Sequence, residues 1–215
     1  MHCEVIGWPE DAPTLRLDYR EFGYAGKFAM SSTGKAVCHD HPEPVADTHD
    51  DPAAAFAGRD SDDYATDVLA AVAFNEDRTD DGVLWLRYVT VRADRRGDGL
   101  GPRLLAFVRD RALDRGYERL RIAVNNPYSY EALYKTGFAY TGRETGIAEL
   151  VLEHPERGAL DAATQGDDVG GASTADAAAR YREGLAAFAD RDDLSANERE
   201  FVAEKRERGP PATTR

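Results

Sequence analysis

The sequence predicts an α+β fold with a helical C-terminal appendage, and three observations carry that reading. Residues 67–74 and 83–91 are apolar stretches around a polar turn and read as an antiparallel hairpin. A glycine-rich loop leads from the second of these strands directly into an amphipathic helix. Apolar periodicity then disappears over residues 156–175 and returns in helical form up to about residue 208.

Taken in order, residues 14–19 alternate Leu15 and Leu17 with polar neighbours, as a strand would. Residues 27–30 and 36–39 flank Ser31-Ser-Thr-Gly34 and read as a hairpin. Residues 39–66 hold eight acids against one Arg; within them Asp51-Pro52 to Gly58 has the cap, first-turn proline and terminal glycine of a short helix. After the 67–91 hairpin, Leu104, Leu105, Val108 and Ala112 stripe a helix over 102–115 that Gly116 ends. Residues 118–124 alternate Leu120, Ile122 and Val124 as a strand, and Asn126-Pro127 opens a second helix that stops at Gly137. Residues 138–143 and 147–153 pair as strands. Residues 175–189 form a helix with Tyr181, Leu185 and Phe188 on one face. Ser195-Ala-Asn-Glu198 is a capping box for a last helix to Arg208, which Gly209-Pro210 stops. The expected organisation is a domain over 1–154, an acidic linker over 155–174 and a helical tail over 175–215.

The chain has 215 residues, 27 Lys and Arg against 40 Asp and Glu, and a net charge of −13. A nucleic-acid binder would show the opposite surface, so no nucleic-acid partner is expected. No apolar run approaches the ~20 residues of a membrane span, so no membrane partner is expected either. The start lacks a basic and apolar leader, and Cys3 and Cys38 do not make a disulfide framework; the expected location is a reducing cytoplasm. The acids include 24 Asp, and only four Lys stand against 23 Arg. This resembles the cytosolic composition of extreme halophiles, in which strong salt screens carboxylate repulsion.

Against that background residues 92–121 stand out, with nine Arg and five acids. Their loop reads Arg96-Gly97-Asp98-Gly99-Leu100-Gly101 after the strand ending Val89-Thr-Val91. Glycines let a ligand approach the backbone, and a helix N-terminus favours an anion, so a phosphate-bearing ligand is implied. A P-loop would need Gly-Lys-Ser/Thr where Gly101-Pro102-Arg103 stands, and the glycine spacing misses the dinucleotide fingerprint. The R-x-x-G-x-G pattern resembles the pyrophosphate loop of the GNAT-type N-acetyltransferase superfamily. Glu131-Ala-Leu-Tyr134-Lys-Thr-Gly137-Phe138 resembles that superfamily's Leu-Tyr-x-x-x-Gly-Phe element. The resemblance covers residues 67–153, about two-fifths of the chain.

The resemblance implies a mixed, mostly antiparallel sheet flanked by helices and acetyl-coenzyme A as acyl donor, with no metal. It implies transfer to a primary amine of a small molecule or a protein N-terminus. The donor would lie where the strand 83–91 splays from 118–124, its pantetheine on the backbone near Val89 and Val91. Its pyrophosphate would meet Arg96, Gly97, Asp98, Gly99, Leu100 and Gly101, with Arg103 adding charge and Asn125 or Asn126 a contact. Tyr134 would be the general acid for the departing thiolate; packing on its own helix is the alternative role. Three departures are visible. Pro127 stands where the superfamily often has Asn, Pro102 removes one N–H at the helix start, and residues 84–91 lack the acid some members use as a base. Water, Tyr88, Glu144 and Glu149 are the candidates for that task. The first 66 residues show no clear pair of helices, which leaves the acceptor open.

Cys38-His39-Asp40-His41, with Asp47 and His49, is a conceivable zinc set, although the spacing matches no zinc motif and a solvated polar segment is expected. The acidic run 39–66 reads as a solvated face. The tail is a candidate for packing on the domain, for homodimerisation or for another partner. The rival function is an acyl-coenzyme A-binding regulatory module without turnover.

Overall fold

The computed structural model describes residues 1–9, 11–40, 64–155 and 174–213. It divides into two compact units, Met1–Tyr117 and Glu118–Arg215. The α+β class is as expected: antiparallel strands flanked by helices, with the C-terminal helices present.

In the first unit β1 (His2–Gly7), β2 (Gly34–His39), β3 (Val68–Glu76) and β4 (Val83–Val91) follow one another in antiparallel order, with helix α1 over Leu100–Asp114. The run from Val68 to Phe74 is buried throughout, as a strand covered on both faces must be. One cover is α1, whose Leu100, Leu104, Leu105, Val108 and Ala112 are buried and which lies on β2, β3 and β4. The other is a cluster in which Ile6, Leu15, Leu17, Phe22 and Phe28 pack with Val37, Val68, Ala71 and Ala73. Each Val, Leu, Ile or Phe side chain there contributes about 1.5–3 kcal/mol by leaving water, and the alanines less.

In the second unit β5 (Arg119–Val124), β7 (Leu150–His154) and β6 (Ala139–Glu144) form antiparallel pairs in that order, and Arg121 and Glu153 meet across the β5–β7 register in a buried ion pair at 2.6 Å. Helix α2 (Pro127–Lys135) starts at Asn126, whose side chain accepts the Ser129 N–H at 2.9 Å. Helices α3 (Thr174–Ala189) and α4 (Ala196–Arg208) complete the unit, and α3 packs on β6. The Ser195–Glu198 capping box is formed.

Three expectations fail. Residues 14–19 keep the buried–exposed alternation of Leu15 and Leu17 but join no ladder; isolated bonds from Leu15 N–H to Phe28 O and from Ala65 N–H to Arg16 O hold the segment instead. The 27–39 hairpin is absent. Lys27 ends a 3₁₀ turn, and the buried Lys35 ammonium donates to Met30 O at 2.7 Å and Thr33 O at 2.9 Å, fixing a turn before β2. β2 pairs instead with β1 and β3. Cys3 and Cys38, expected to remain unpaired, are joined by a disulfide, because the β1–β2 register sets them directly opposite each other. Helix α1 also begins two residues earlier than expected, at Leu100. The short helix expected at 51–58 and most of the 155–174 linker lie outside the described residues.

Candidate functional site

The glycine loop is built by β4 and α1, both in the first unit. β4 carries a bulge: Tyr88 faces Ala73 and Leu86 faces Phe74, so Arg87 is an extra residue on β4. Its guanidinium stacks over Trp85 at 4.6 Å and donates to Asn75 Oδ1. Beyond the bulge Val89 faces Val72 and Val91 faces Ala70, both half-buried. The chain leaves the sheet with Arg92 N–H donating to Leu69 O and Ala93 N–H to Glu21 O, each at 2.9 Å.

Gly97 and Gly99 adopt φ of +93° and +78°, which L side chains resist, and a Cβ at either would meet nothing within 4 Å. The loop therefore requires glycine for its backbone and leaves open space beside it. Gly99 caps α1 without a side-chain bond. In the first turn Arg103 N–H already bonds to Gly99 O and Pro102 has no N–H, so Leu100 and Gly101 supply the helix-end donors. The Leu100 side chain is itself buried in the core. These features suit a pyrophosphate: open space, free N–H groups and the positive end of a 15-residue helix.

The basic island is less bare than its composition suggests. Arg92 Nε donates to Asp94 at 2.7 Å and Arg95 Nε to Asp98 at 2.8 Å. On α1, Arg109 pairs with Asp110 and Arg111 with Asp114. Arg103 spends a donor on Met1 O at 3.2 Å. Arg96 is exposed and has no ion pair or hydrogen bond among the described residues; its Nη2 and Thr90 Oγ1 lie beside Gly23. Arg96 is thus the loop's available guanidinium. The spacings Arg-x-Asp and Arg-x-x-Asp were the signal for the internal pairs.

Tyr134, Asn125 and Asn126 belong to the second unit. Tyr134 is 7% exposed on α2. Burial raises its hydroxyl pKa above the ordinary tyrosine value, while the Arg182 charge acts in the opposite direction. Asn126 Oδ1 is engaged in capping α2. Asn125 is exposed, and its carbonyl accepts from Arg191 at 3.1 Å. Gly137 ends α2 at φ +86°.

Among the base candidates, Glu144 is exposed on β6. Glu149 accepts from Thr145 Oγ1 at 3.3 Å. Tyr88 is half-buried beside Tyr24, with Lys27 Nζ 5.6 Å from its ring centre. Cys38 is consumed by the disulfide and offers no thiolate to a metal. His39 bonds Glu4 at 2.9 Å, which raises its pKa; His41, Asp47 and His49 lie outside the described residues. Sequence reasoning missed the β4 bulge, which no Gly or Pro marks, and the contact of Tyr181 with Tyr134, which depends on tertiary packing.

The pattern of the acetyltransferase (GNAT) family matches residues 18–138. No curated protein matches the chain significantly. Among solved structures it is similar to a GCN5-related N-acetyltransferase from Kribbella flavida, with 20% identity, 58% of this chain and 68% of that one covered, and a TM-score of 0.40. It is similar to an N-acetyltransferase from Staphylococcus aureus Mu50 at 17% identity, 56% and 66% coverage and a TM-score of 0.40. A third is the PaiA N-acetyltransferase from Thermoplasma acidophilum in complex with coenzyme A, at 16% identity, 41% and 54% coverage and a TM-score of 0.36. The chain thus spans between about half and two-thirds of the length of these three structures. The family pattern extends over more than half of the chain and contains the whole strand, glycine loop and helix, and on that match the chain belongs to the acetyltransferase (GNAT) family.

Proposed function

We propose that the protein moves the acetyl group of acetyl-coenzyme A to a primary amine, of a small molecule or of a protein N-terminus, in a cytoplasm of high ionic strength. The observation that carries this reading is the glycine turn, with two residues at positive φ, open space beside them and Arg96 left available. Family membership supplies the acyl donor as substrate.

In this reading the amine nitrogen bonds to the acetyl carbon, the carbon–sulfur bond breaks, and the amine gives up a proton to water or to a nearby base. Backbone N–H groups near Val89 steady the oxygen that gains charge. The thiolate takes its proton from Tyr134, protonated at neutral pH as tyrosine is, and solvent restores that proton before the next turnover. Holding the two substrates together contributes most of the acceleration.

The test is thiol release from acetyl-coenzyme A across a panel of small amines and N-terminal peptides, in molar KCl. Turnover on one class is expected, and Tyr134→Phe should slow it while coenzyme affinity stays within about twofold. Binding without turnover on any amine would instead favour the regulatory module.

A further inference from the structure

Helices α3 and α4 lie outside the family-matched residues 18–138, yet within the second unit they cover the helix that carries Tyr134. Tyr181 of α3 is 1% exposed. Its ring centre lies 4.5 Å from that of Tyr134 and 5.6 Å from that of Tyr130, so it contacts two rings one turn apart on α2. The Tyr130 hydroxyl donates towards Arg180 O at 3.1 Å and Tyr181 O at 3.2 Å, tying α2 to the α3 backbone. Gly184 makes room for that approach, since a Cβ there would overlap the Tyr130 hydroxyl.

A second anchor sits on the same turn of α2. Glu131 is 5% exposed. It accepts from Lys135 at 2.5 Å, from Lys205 of α4 at 3.3 Å and from the Tyr181 hydroxyl at 3.4 Å. Both tail helices therefore converge on one carboxylate three residues before Tyr134. Among the described residues the Tyr134 hydroxyl makes no hydrogen bond, so its ring is placed by packing, and Tyr181 is its closest aromatic neighbour.

We propose that Tyr181 is a positioning residue for Tyr134: the tail, locked to α2 through Glu131 and Lys205, holds the Tyr134 ring at the angle from which its hydroxyl delivers the proton. This inference rests on the reading of Tyr134 as the proton donor. It makes the tail part of the catalytic apparatus rather than an appendage.

The experiment compares full-length wild type with Tyr134→Phe, Tyr181→Leu, Tyr181→Phe and the Tyr134→Phe/Tyr181→Leu double variant. Turnover is measured on the fastest amine of the panel, coenzyme affinity by calorimetry and folding by circular dichroism. Tyr181→Leu should lower kcat by roughly ten- to a hundredfold with coenzyme affinity unchanged. Tyr181→Phe, which keeps the ring, should stay within about threefold. In the Tyr134→Phe background Tyr181→Leu should cost nothing further, because it acts through a hydroxyl already removed.

Additive losses, or wild-type turnover in Tyr181→Leu while Tyr134→Phe is slow, would overturn the inference and leave the donor reading intact. Wild-type turnover in Tyr134→Phe would overturn the donor reading itself. If Tyr181→Leu does not fold, Lys205→Met leaves every ring in place and should lower kcat several-fold, again without additivity. Independently of turnover, the ring signals of Tyr134 in selectively labelled protein, assigned by Tyr134→Phe, should sharpen through faster ring flips in Tyr181→Leu. Unchanged ring signals there would overturn the inference.

Discussion

The glycine loop makes opposite predictions for two of its glycines. Gly99 sits at φ +78° with no atom within 4 Å of a would-be Cβ, so Gly99→Ala meets no clash and the whole cost is backbone conformation. That cost is about 1–2 kcal/mol for an L residue in this region. If the loop holds its shape, the melting temperature should fall by about 2–8 °C at this chain length. If the loop relaxes, the same energy should appear as roughly five- to thirtyfold weaker acetyl-coenzyme A binding. Gly101 lies within α1 at ordinary helical φ, and a Cβ there would sit 3.7 Å from Val91 Cγ2, a normal contact. Gly101→Ala should therefore stabilise the free protein by about 0.5–1 kcal/mol while placing a methyl group where, under the proposed function, the pyrophosphate would approach. Melting followed by fluorescence and binding followed by calorimetry, both in molar KCl, separate the two. A Gly101→Ala protein that binds as tightly as wild type would refute close backbone approach. Gly99→Ala with unchanged melting and unchanged affinity would refute the role assigned to positive φ.

Arg96→Ala should weaken coenzyme binding by roughly tenfold, the value of one hydrogen-bonded charge, and calorimetry that finds equal affinity would remove Arg96 from the site. Coenzyme affinity of the wild type should persist or improve from dilute buffer to molar salt, since screening relieves the −13 background; a collapse would mean the charge has been misread. Burial lowers Lys35 from 10.5 to about 8. Between those values the unfolded chain binds more protons than the folded one, so stability should rise with pH from about 8. Urea midpoints should show that slope in wild type and lose it in Lys35→Met. Gly184→Ala should cost about 1–3 kcal/mol through overlap with the buried Tyr130 ring, read as an early melt, and wild-type melting would show that α3 can shift away from α2.

The elements that sequence revealed are those whose signal is local. β3 and β4 are continuous or alternating apolar runs with polar flanks, and α2 and α4 carry caps that use neighbouring residues. β1 escaped because its register breaks between Val5 and Gly7, so no clean period of two survives in six residues. The turns before β2 escaped because the buried Lys35 ammonium, rather than turn chemistry, shapes them. The disulfide links cysteines 35 positions apart, a pairing only the β1–β2 register creates. At the site, the glycine spacing and the helix after it were readable, its start to within two residues, whereas the cover over Tyr134 comes from a helix 40 or more residues downstream.

Two arginines of the glycine loop, Arg92 and Arg95, already have anionic partners in Asp94 and Asp98, whereas Arg96 has none among the described residues. Under the proposed function, binding there would be in part an exchange of counter-ions, in which an incoming phosphate competes with a resident carboxylate for those two guanidiniums. A singly charged ion gains little by replacing a tethered carboxylate, even when abundant. A diphosphate with backbone donors arranged for it gains more, because it adds contacts the aspartates do not make. In concentrated salt, such an exchange would make the loop selective for charge density rather than for charge alone.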